Sequence, residues 1–386
     1  MKVSQIFELV NGATSEILGE SGVVLEDLSN VVTVGKEIVD TDNLDNYVKK
    51  LVNHIGKVVF VDRVYNGSAP SVLMDAWEFG SILEKISCEL PTASENSEFS
   101  LVGGQSYDQD IFYKPVVSAK FFNSKVTFEI PLSFTEKQVK ESFSSVEQLN
   151  GFLSMLFNAV NNSMTVKLDA LIMRTINNMI GETLSADLEE GGTLDLTKTG
   201  IKAVNLLKLY NATVTEPLTV ANCLTNPDFI RYATYTISMY SDRLTKISTL
   251  FNIEGKERFS PVEKQKVLLL SDFAKASETF LSSNTFNSEK VALPVHDSIS
   301  YWQGSGNDYA FTEVSKVSVK TSTGKTVSAS GVIGAMFDYE ALGVANLERR
   351  VTTHYNAKAE FYTNFYKFDA GYYNDLSENF VVFFVG

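Results

Sequence analysis

Cysteine is scarce in this sequence. Cys88 and Cys223 are the only two in 386 residues, which excludes a disulfide scaffold or a Cys-rich zinc module and suits a reducing compartment. Three histidines leave little material for a metal cluster. Long apolar runs are missing as well. The longest, such as Phe380 to Val385, span about six residues, whereas a membrane-spanning helix needs roughly 20. The start, MKVSQIFELVNGATSE, has no apolar core of signal-peptide length and reaches Glu8 early, so no secretion signal is expected. Positive charge is in deficit, with 33 basic against 47 acidic residues and a net charge of -14. Such a chain does not wrap nucleic acid through a global field, because binding needs cations that neutralise phosphates. Any contact with nucleic acid is then confined to local patches.

What remains is ordinary globular material. Apolar residues make up 44% and charged residues 21%, which argues against disorder. The length leaves room for two or three lobes with buried cores. Residues 1–55 read as an N-terminal arm, with nine acidic and four basic side chains. A weak helical pattern at Ile6, Leu9 and Val10 precedes the acidic stretch DTDNLDN at 40–46, and a second short helix is expected over Leu44 to Ile55. A β-rich run, KVVFVDRVY, follows at 57–65.

Residues 66–131 differ in kind. Strand-like pieces at Ser71 to Trp77, Ile111 to Phe122 and Lys125 to Ile130 are separated by polar links such as SENSEFSLVGGQSYDQD. Val126, Phe128 and Ile130 alternate with Thr127 and Glu129, the two-residue period of a pleated strand. The region reads as a long two-stranded excursion. Its faces lie in water unless something covers them, and the economical cover is another subunit.

A long helix follows. No proline occurs between Pro131 and Pro217. Ser144-x-x-Glu147 is a capping box. Apolar residues then recur at Val146, Leu149, Leu153, Leu156, Val160, Met164, Leu168, Leu171 and Met179, in the steps of three and four that mark a helical stripe. Gly181 stands where the helix is expected to stop. A helix over about 145–180 would be on the order of 50 Å long. The heptad is not sustained, which disfavours a coiled coil. Further on, a short helix is expected at about 200–211 and a second long one at about 227–249, with Asn226 as cap and Pro227 in the first turn. KQKVLLLSDF at 264–273 reads as a buried strand entering a helix, and polar strands run from Lys316 to Ser328. The C-terminal part is strand-rich and aromatic, and its closing apolar run suggests a paired last strand.

The motifs that carry chemistry elsewhere are incomplete here. Thr323-Gly324-Lys325-Thr326 has the end of a phosphate loop, but Val319 stands where the first glycine is needed, so a hairpin turn is expected. Asp40-Thr41-Asp42-Asn43-Leu44 begins like a calcium loop, yet Leu44 occupies a ligand position. His296-Asp297 could hold an oriented imidazole, but Gly304-Ser305-Gly306 is not a nucleophile elbow. His54 and His354 sit among apolar or aromatic neighbours and read as structural, and both cysteines read as half-buried thiols. The cluster Phe361, Tyr362, Phe365, Tyr366, Phe368, Tyr372 and Tyr373 could stack bases. With only Lys358 and Lys367 in or beside it, packing against the long helix is the better reading. No catalytic, cofactor-binding or metal-ligating residue is assigned.

The order of elements, together with local phrases, resembles the major capsid protein of tailed bacteriophages, the Hong Kong 97-type fold. LVNHIGKVVFVDRVYNGS at 51–68 resembles the lead into that fold's extended loop. FTEKQVKESFSSVEQLNGFLSMLFNAVNNSM at 134–164 resembles the start of its spine helix, particularly in podophage capsid proteins of the phi-29 kind. VLLLSDFAKASETFLSSNTFN at 267–287 and IGAMFDYEALGVANLERRVTTHYNAKAEFYTNFY at 333–366 resemble its axial lobe and returning strands. The resemblance implies an α+β chain with an N-terminal arm over 1–55, an extended loop over 56–131 and a peripheral domain over 132–218. It further implies an axial domain over 219–334 and returning strands over 335–386, with the last strand in the peripheral or the axial domain. The function implied is a structural subunit that self-assembles, as hexamers and pentamers, into an icosahedral shell around double-stranded DNA. Its implied partners are a separate scaffolding protein, a portal protein and DNA held without sequence-specific contact, with no membrane. The implied location is the virion capsid, assembled in the host cytoplasm. The short arm, compared with relatives that carry a scaffolding segment, points to scaffolding in trans, and no C-terminal immunoglobulin-like domain is expected. An encapsulin-like compartment shell and a phage tail or baseplate protein are the alternatives, and an enzyme comes last.

Overall fold

The computed structural model describes residues 11, 63–74, 82–93, 95, 102–106, 110, 112–135, 146–282, 293–303 and 309–386. The expected arm helices, the acidic stretch at 40–46, His54, the cap Ser144 and the loop at 304–306 lie outside the described residues. The chain divides into two compact units. One comprises Met1–Tyr65, Ile130–Ser163 and Val351–Tyr366, and the other comprises Asn66–Glu129, Met164–Arg350 and Lys367–Gly386.

Strands β1 (Leu73–Met74), β2 (Leu83–Cys88), β3 (Val117–Phe122) and β4 (Lys125–Thr135) precede helix α1 (Val146–Leu188). β4 runs past the expected end at Ile130 and through Pro131. It can do so because it is the edge of a four-stranded sheet in which β1, β13 (Leu342–Asn356), β14 (Phe361–Asn374) and β4 lie in that order, and an edge strand has one row of N–H groups with no ladder partner to lose. β13 and β14 are the long returning strands of that sheet.

The spine helix α1 has 43 residues, or about 65 Å at 1.5 Å per residue. It passes through Gly181 instead of stopping there. The reason is tertiary: a Cβ at Gly181 would stand 2.2 Å from the Cγ2 of Val319, so the bare glycine is the seat of a strand crossing the helix. That strand is β10 (Val317–Lys320), which pairs antiparallel with β11 (Thr326–Ala329). The C-terminal half of α1 is enclosed on more than one face, with Ile176, Met179, Ile180 and Leu184 fully buried. Gly181→Ala therefore sets a helix-propensity gain of about 1 kcal/mol against a steric clash, and we expect a net loss of about 1–2 kcal/mol. Val319→Ala in the same chain should recover most of it. Urea denaturation of the two single variants and the double variant measures the coupling, and additive losses would mean that the two residues do not meet.

After α1 come the short strands β5 (Glu189–Glu190) and β6 (Thr193–Leu194), then β7 (Ala203–Asn205) and helix α2 (Leu206–Asn211). The sequence reads 200–211 as one helix; its first part is instead a strand, because β7 finds a parallel partner in β15 (Phe380–Phe384). Asn205 makes the switch from strand to helix. Its side-chain oxygen accepts from Lys208 N at 3.0 Å, and its amide donates to the carbonyls of Leu196 and Gly386 at 2.9 and 2.8 Å. Helix α3 (Pro227–Leu244) starts as expected, with Asn226 accepting from the backbone of Asp228 and Phe229, and it ends earlier than 249. β8 (Gln265–Leu270) leads directly into α4 (Ser271–Ser282). β9 (Asp297–Ile299), the one-turn helix α5 (Phe311–Val314) and β12 (Val332–Asp338) complete this unit.

Its five-stranded sheet has the order β7-β15-β12-β8-β9. β12 and β15 are buried along their whole length, as expected of strands covered on both faces. Alternate residues serve two cores. Phe380, Val382, Phe384, Ala335 and Leu268 face the layer that contains Ile176 and Leu184 of α1. Val381, Phe383, Ile333, Met336 and Leu269 face the layer built from α2, α3 and α4, with Phe229, Ile237 and Phe273. The C-terminal apolar run is thus an inner strand of the sheet.

In the other unit, Val160 is the buried apolar side chain among the described residues. Asn162 acts there as a strand-like partner, its Oδ1 accepting from Tyr65 N at 2.8 Å and its Nδ2 donating to Arg63 O at 2.6 Å. Ser133 meets Thr363 at 2.8 Å, Thr353 donates to Asn364 at 2.8 Å, and the rings of Tyr355 and Tyr362 lie 4.7 Å apart.

Candidate functional site

A two-stranded excursion is present as an antiparallel ribbon in which β2 and β3 pair from Leu83↔Phe122 to Cys88↔Val117; β2 was not among the expected strands, and the expected strand at 125–130 joins the four-stranded sheet instead. The pleat sorts its side chains. Leu83, Lys85, Ser87, Ser118, Lys120 and Phe122 share one face, and Glu84, Ile86, Cys88, Val117, Ala119 and Phe121 share the other. On that second face Ile86 is 67% exposed, Val117 58% and Phe121 64%. The flanking segments add Leu90, Phe112, Tyr113 and Val116, all exposed. Contiguous exposed apolar side chains of this kind mark a contact surface.

The first face does not await another subunit. The chain covers it itself, which corrects the expectation that a neighbour covers the whole excursion. Lys85 and Lys120 stand directly opposite each other in the ladder, a placement that costs stability unless an anion intervenes. Asp375 intervenes. Its Oδ2 accepts from Lys85 at 2.7 Å and its Oδ1 from Lys120 at 3.0 Å. Glu378 takes a second bond from Lys85 at 3.0 Å, and Glu254 a second from Lys120 at 2.7 Å. The Phe122 and Tyr373 rings meet at 5.0 Å, and Lys256 reaches Glu89 at 2.8 Å.

Burial alone would raise the Asp375 carboxyl, whose side chain is 2% exposed. The hydrogen bond and charge of Lys85, with Ser377 and Lys120, outweigh that and hold it at about 2, below the ordinary 3.8. Lys120 is pushed down by burial and, more strongly, up by Glu254 and Asp375, ending above the usual lysine range. A depressed carboxyl stabilises the fold above its unfolded pKa and loses that contribution as pH falls through the folded one. The expected contribution of Asp375 is about 2 kcal/mol at pH 6, lost between about pH 4 and pH 2. Urea denaturation of the wild type and of Asp375→Asn should show a gap of that size at pH 6 which closes by pH 2. A gap independent of pH would remove the charged bridge from the account.

Other candidates from the sequence find structural roles. The 321–325 segment is the turn of the β10–β11 hairpin, with Gly324 at φ 84° and the Lys325 ammonium held by Glu189. His296 contacts the Pro294 carbonyl at 2.9 Å, while Asp297 accepts from Ser71 N and Oγ at 3.1 and 2.9 Å. That carboxylate therefore serves Ser71 in place of orienting an imidazole. His354 is exposed on β13, contrary to the structural reading. The cysteines are not half-buried: Cys88 is exposed, and Cys223 is buried with its thiol pushed up to about 11 by that burial. The aromatic cluster packs as expected in its later part. Phe368 stacks on Phe128 at 4.9 Å, and Tyr372 lies under Arg174 of α1 at 5.0 Å. The sequence did not reveal the clamp residues Lys85, Lys120, Asp375 and Glu378. Their only signal was lysine on an otherwise mixed β-excursion, with partners more than 250 positions away.

Two solved structures are similar to this chain in overall fold. The capsid of Staphylococcus phage Andhra superposes with a TM-score of 0.55 at 9% identity, covering 86% of this chain and 87% of that one. A chain from the structure of the head fiber and inner core protein gp22 of native bacteriophage P68 gives a TM-score of 0.52 at 10% identity, with 86% and 87% covered. At these identities the likeness is one of fold, the Hong Kong 97-type α+β fold. No curated protein matches the sequence. A family model, the Phi29-like phage major capsid protein, matches residues 9–384. With a long spine helix, a two-stranded ribbon and a buried C-terminal strand in that one matched span, the chain belongs to the Phi29-like phage major capsid protein family: it is a structural subunit of a tailed-phage head, not an enzyme.

Proposed function

We propose that this subunit closes its shell as hexamers and pentamers through the apolar outer face of the β2–β3 ribbon, which lies over a neighbouring copy. In this reading 56–131 is the extended loop, 132–218 the peripheral domain, 219–334 the axial domain and 335–386 the returning strands. The arm at 1–55 reaches a further copy. One observation carries the reading: Ile86, Val117 and Phe121 stand together in water on one face of the ribbon. Each such side chain gains about 1.5–3 kcal/mol when a partner covers it. Repeated around a shell, contacts of that kind make assembly effectively permanent.

The partners that fit are a separate scaffolding protein and a portal protein during assembly, and double-stranded DNA afterwards. The overall negative charge suits a container that encloses DNA without gripping it, since like charges repel phosphate. Negative-stain microscopy of the purified protein, alone and with co-expressed scaffolding protein, tests the reading. Closed shells are expected with scaffold present. A protein that stays monomeric under both conditions overturns it.

A further inference from the structure

The inner face of the ribbon is held differently from the two apolar cores of the described residues. Lys85 and Lys120 of the ribbon meet Glu254, Asp375 and Glu378, Glu89 beside it meets Lys256, and Arg258 backs Glu378 from the body. The Phe122–Tyr373 ring pair adds an apolar contact. Two hollows remain beneath the ribbon. One of about 360 Å³ is lined by residues that include Ser87, Arg258, Phe259 and Asp375. The other, of about 370 Å³, is lined by residues that include Ser87, Thr249 and Lys256. A close-packed contact resists sliding because every displacement opens voids. A contact of ion pairs around open hollows has no such resistance. Its lysine ends are partly exposed, at 20% and 34%, and its attraction is sensitive to salt, even though the Asp375 carboxylate at its centre is buried.

We propose that the Asp375 clamp is a reversible stop: it sets the ribbon's pose in the free subunit and yields when the ribbon is drawn onto a second copy. This rests on the reading that the outer face meets a neighbour. A shell of hexamers and pentamers then asks one ribbon to reach neighbours at more than one angle. A wet, charge-held base permits that, and the apolar outer face drives it.

The test uses the full-length protein. Cys88 is exposed and Cys223 is buried, so in a Cys88→Ser background a nitroxide attaches selectively to a cysteine placed by Ser87→Cys on the inner face and to a second placed by Thr249→Cys across the hollow. Pulsed electron paramagnetic resonance then reads the distance between the labels. The free subunit should show one short, narrow distance. Lys85→Gln with Lys120→Gln alters only the ribbon side, away from both cores, and should reduce that short population several-fold, as should Asp375→Asn where it folds. Shells assembled from labelled subunits diluted into unlabelled ones should show a broadened, longer distribution. An unchanged short distance in the lysine variant, or the same single distance in shells, overturns the proposal. Failure of the underlying reading is recognised separately: shells would still form when Ile86 and Phe121 are both replaced by serine.

Discussion

Ile86→Ser together with Phe121→Ser is expected to leave a folded subunit that no longer closes into shells. The two side chains are 67% and 64% exposed and lie on adjacent strands of the ribbon's outer face, diagonal to each other in the register Glu84↔Phe121, Ile86↔Ala119. Exposed substitutions of this kind change the stability of the free subunit by about 0.5 kcal/mol each. In an assembled contact the same changes forfeit about 2 kcal/mol per side chain. The combined loss of about 4 kcal/mol lowers the association constant of one subunit pair by roughly a thousandfold, and a shell repeats that loss at every copy. Thermal melting checks the fold, and sedimentation with negative-stain microscopy checks the assembly. Normal yields of shells would sink the assignment of this face. Because both residues point away from Lys85, Lys120 and Asp375, the experiment leaves the clamp untouched.

Phe383→Ala is the change expected to cost the most within the subunit. Phe383 is fully buried in β15, an inner strand of the five-stranded sheet. Its ring meets Tyr240 of α3 edge-on at 5.5 Å. Across the ladder it faces Gly334, where a Cβ would stand 2.6 Å from Leu269 Cδ2 and 2.9 Å from the Leu268 carbonyl oxygen. The neighbouring backbone is therefore already in close contact and cannot collapse into a hole. Removing the ring loses its transfer free energy and leaves a cavity, about 3–5 kcal/mol together. Domains are stable by only about 5–15 kcal/mol, so poor soluble yield is expected, with a matching loss by urea denaturation of what is recovered. Phe383→Leu should cost distinctly less. A loss below about 1 kcal/mol for the alanine variant would mean that the strand is not part of this core.

Much of the fold was legible because its signals are local. The spacing of Val146 through Met179 marked the spine helix, and Asn226-Pro227 marked the start of α3. The apolar run before Ser271 marked β8 and its helix. The failure of the phosphate-loop pattern at Val319 pointed correctly to a hairpin turn. The misreadings share a cause. Gly181 reads as a stop until Val319 is seen lying on it. Pro131 reads as a boundary until β4 is known to be an edge. Ala203 to Asn205 read as helix until β15 offers a parallel partner.

Of the candidate site, the sequence showed half. The composition of 66–131 marked a two-stranded excursion and the strand that became β3, but not β2, and the alternation at Val126, Phe128 and Ile130 belongs to β4, outside the ribbon. The apolar outer face follows once β2 and β3 are paired, since a pleat sends neighbouring side chains to opposite sides. Which face the chain keeps for itself was decided only by the tertiary structure. Asp375 is 290 residues from Lys85 and 255 from Lys120. Charge attraction acts through space and leaves no periodic trace along a chain, so nothing short of the folded arrangement could bring those three groups together.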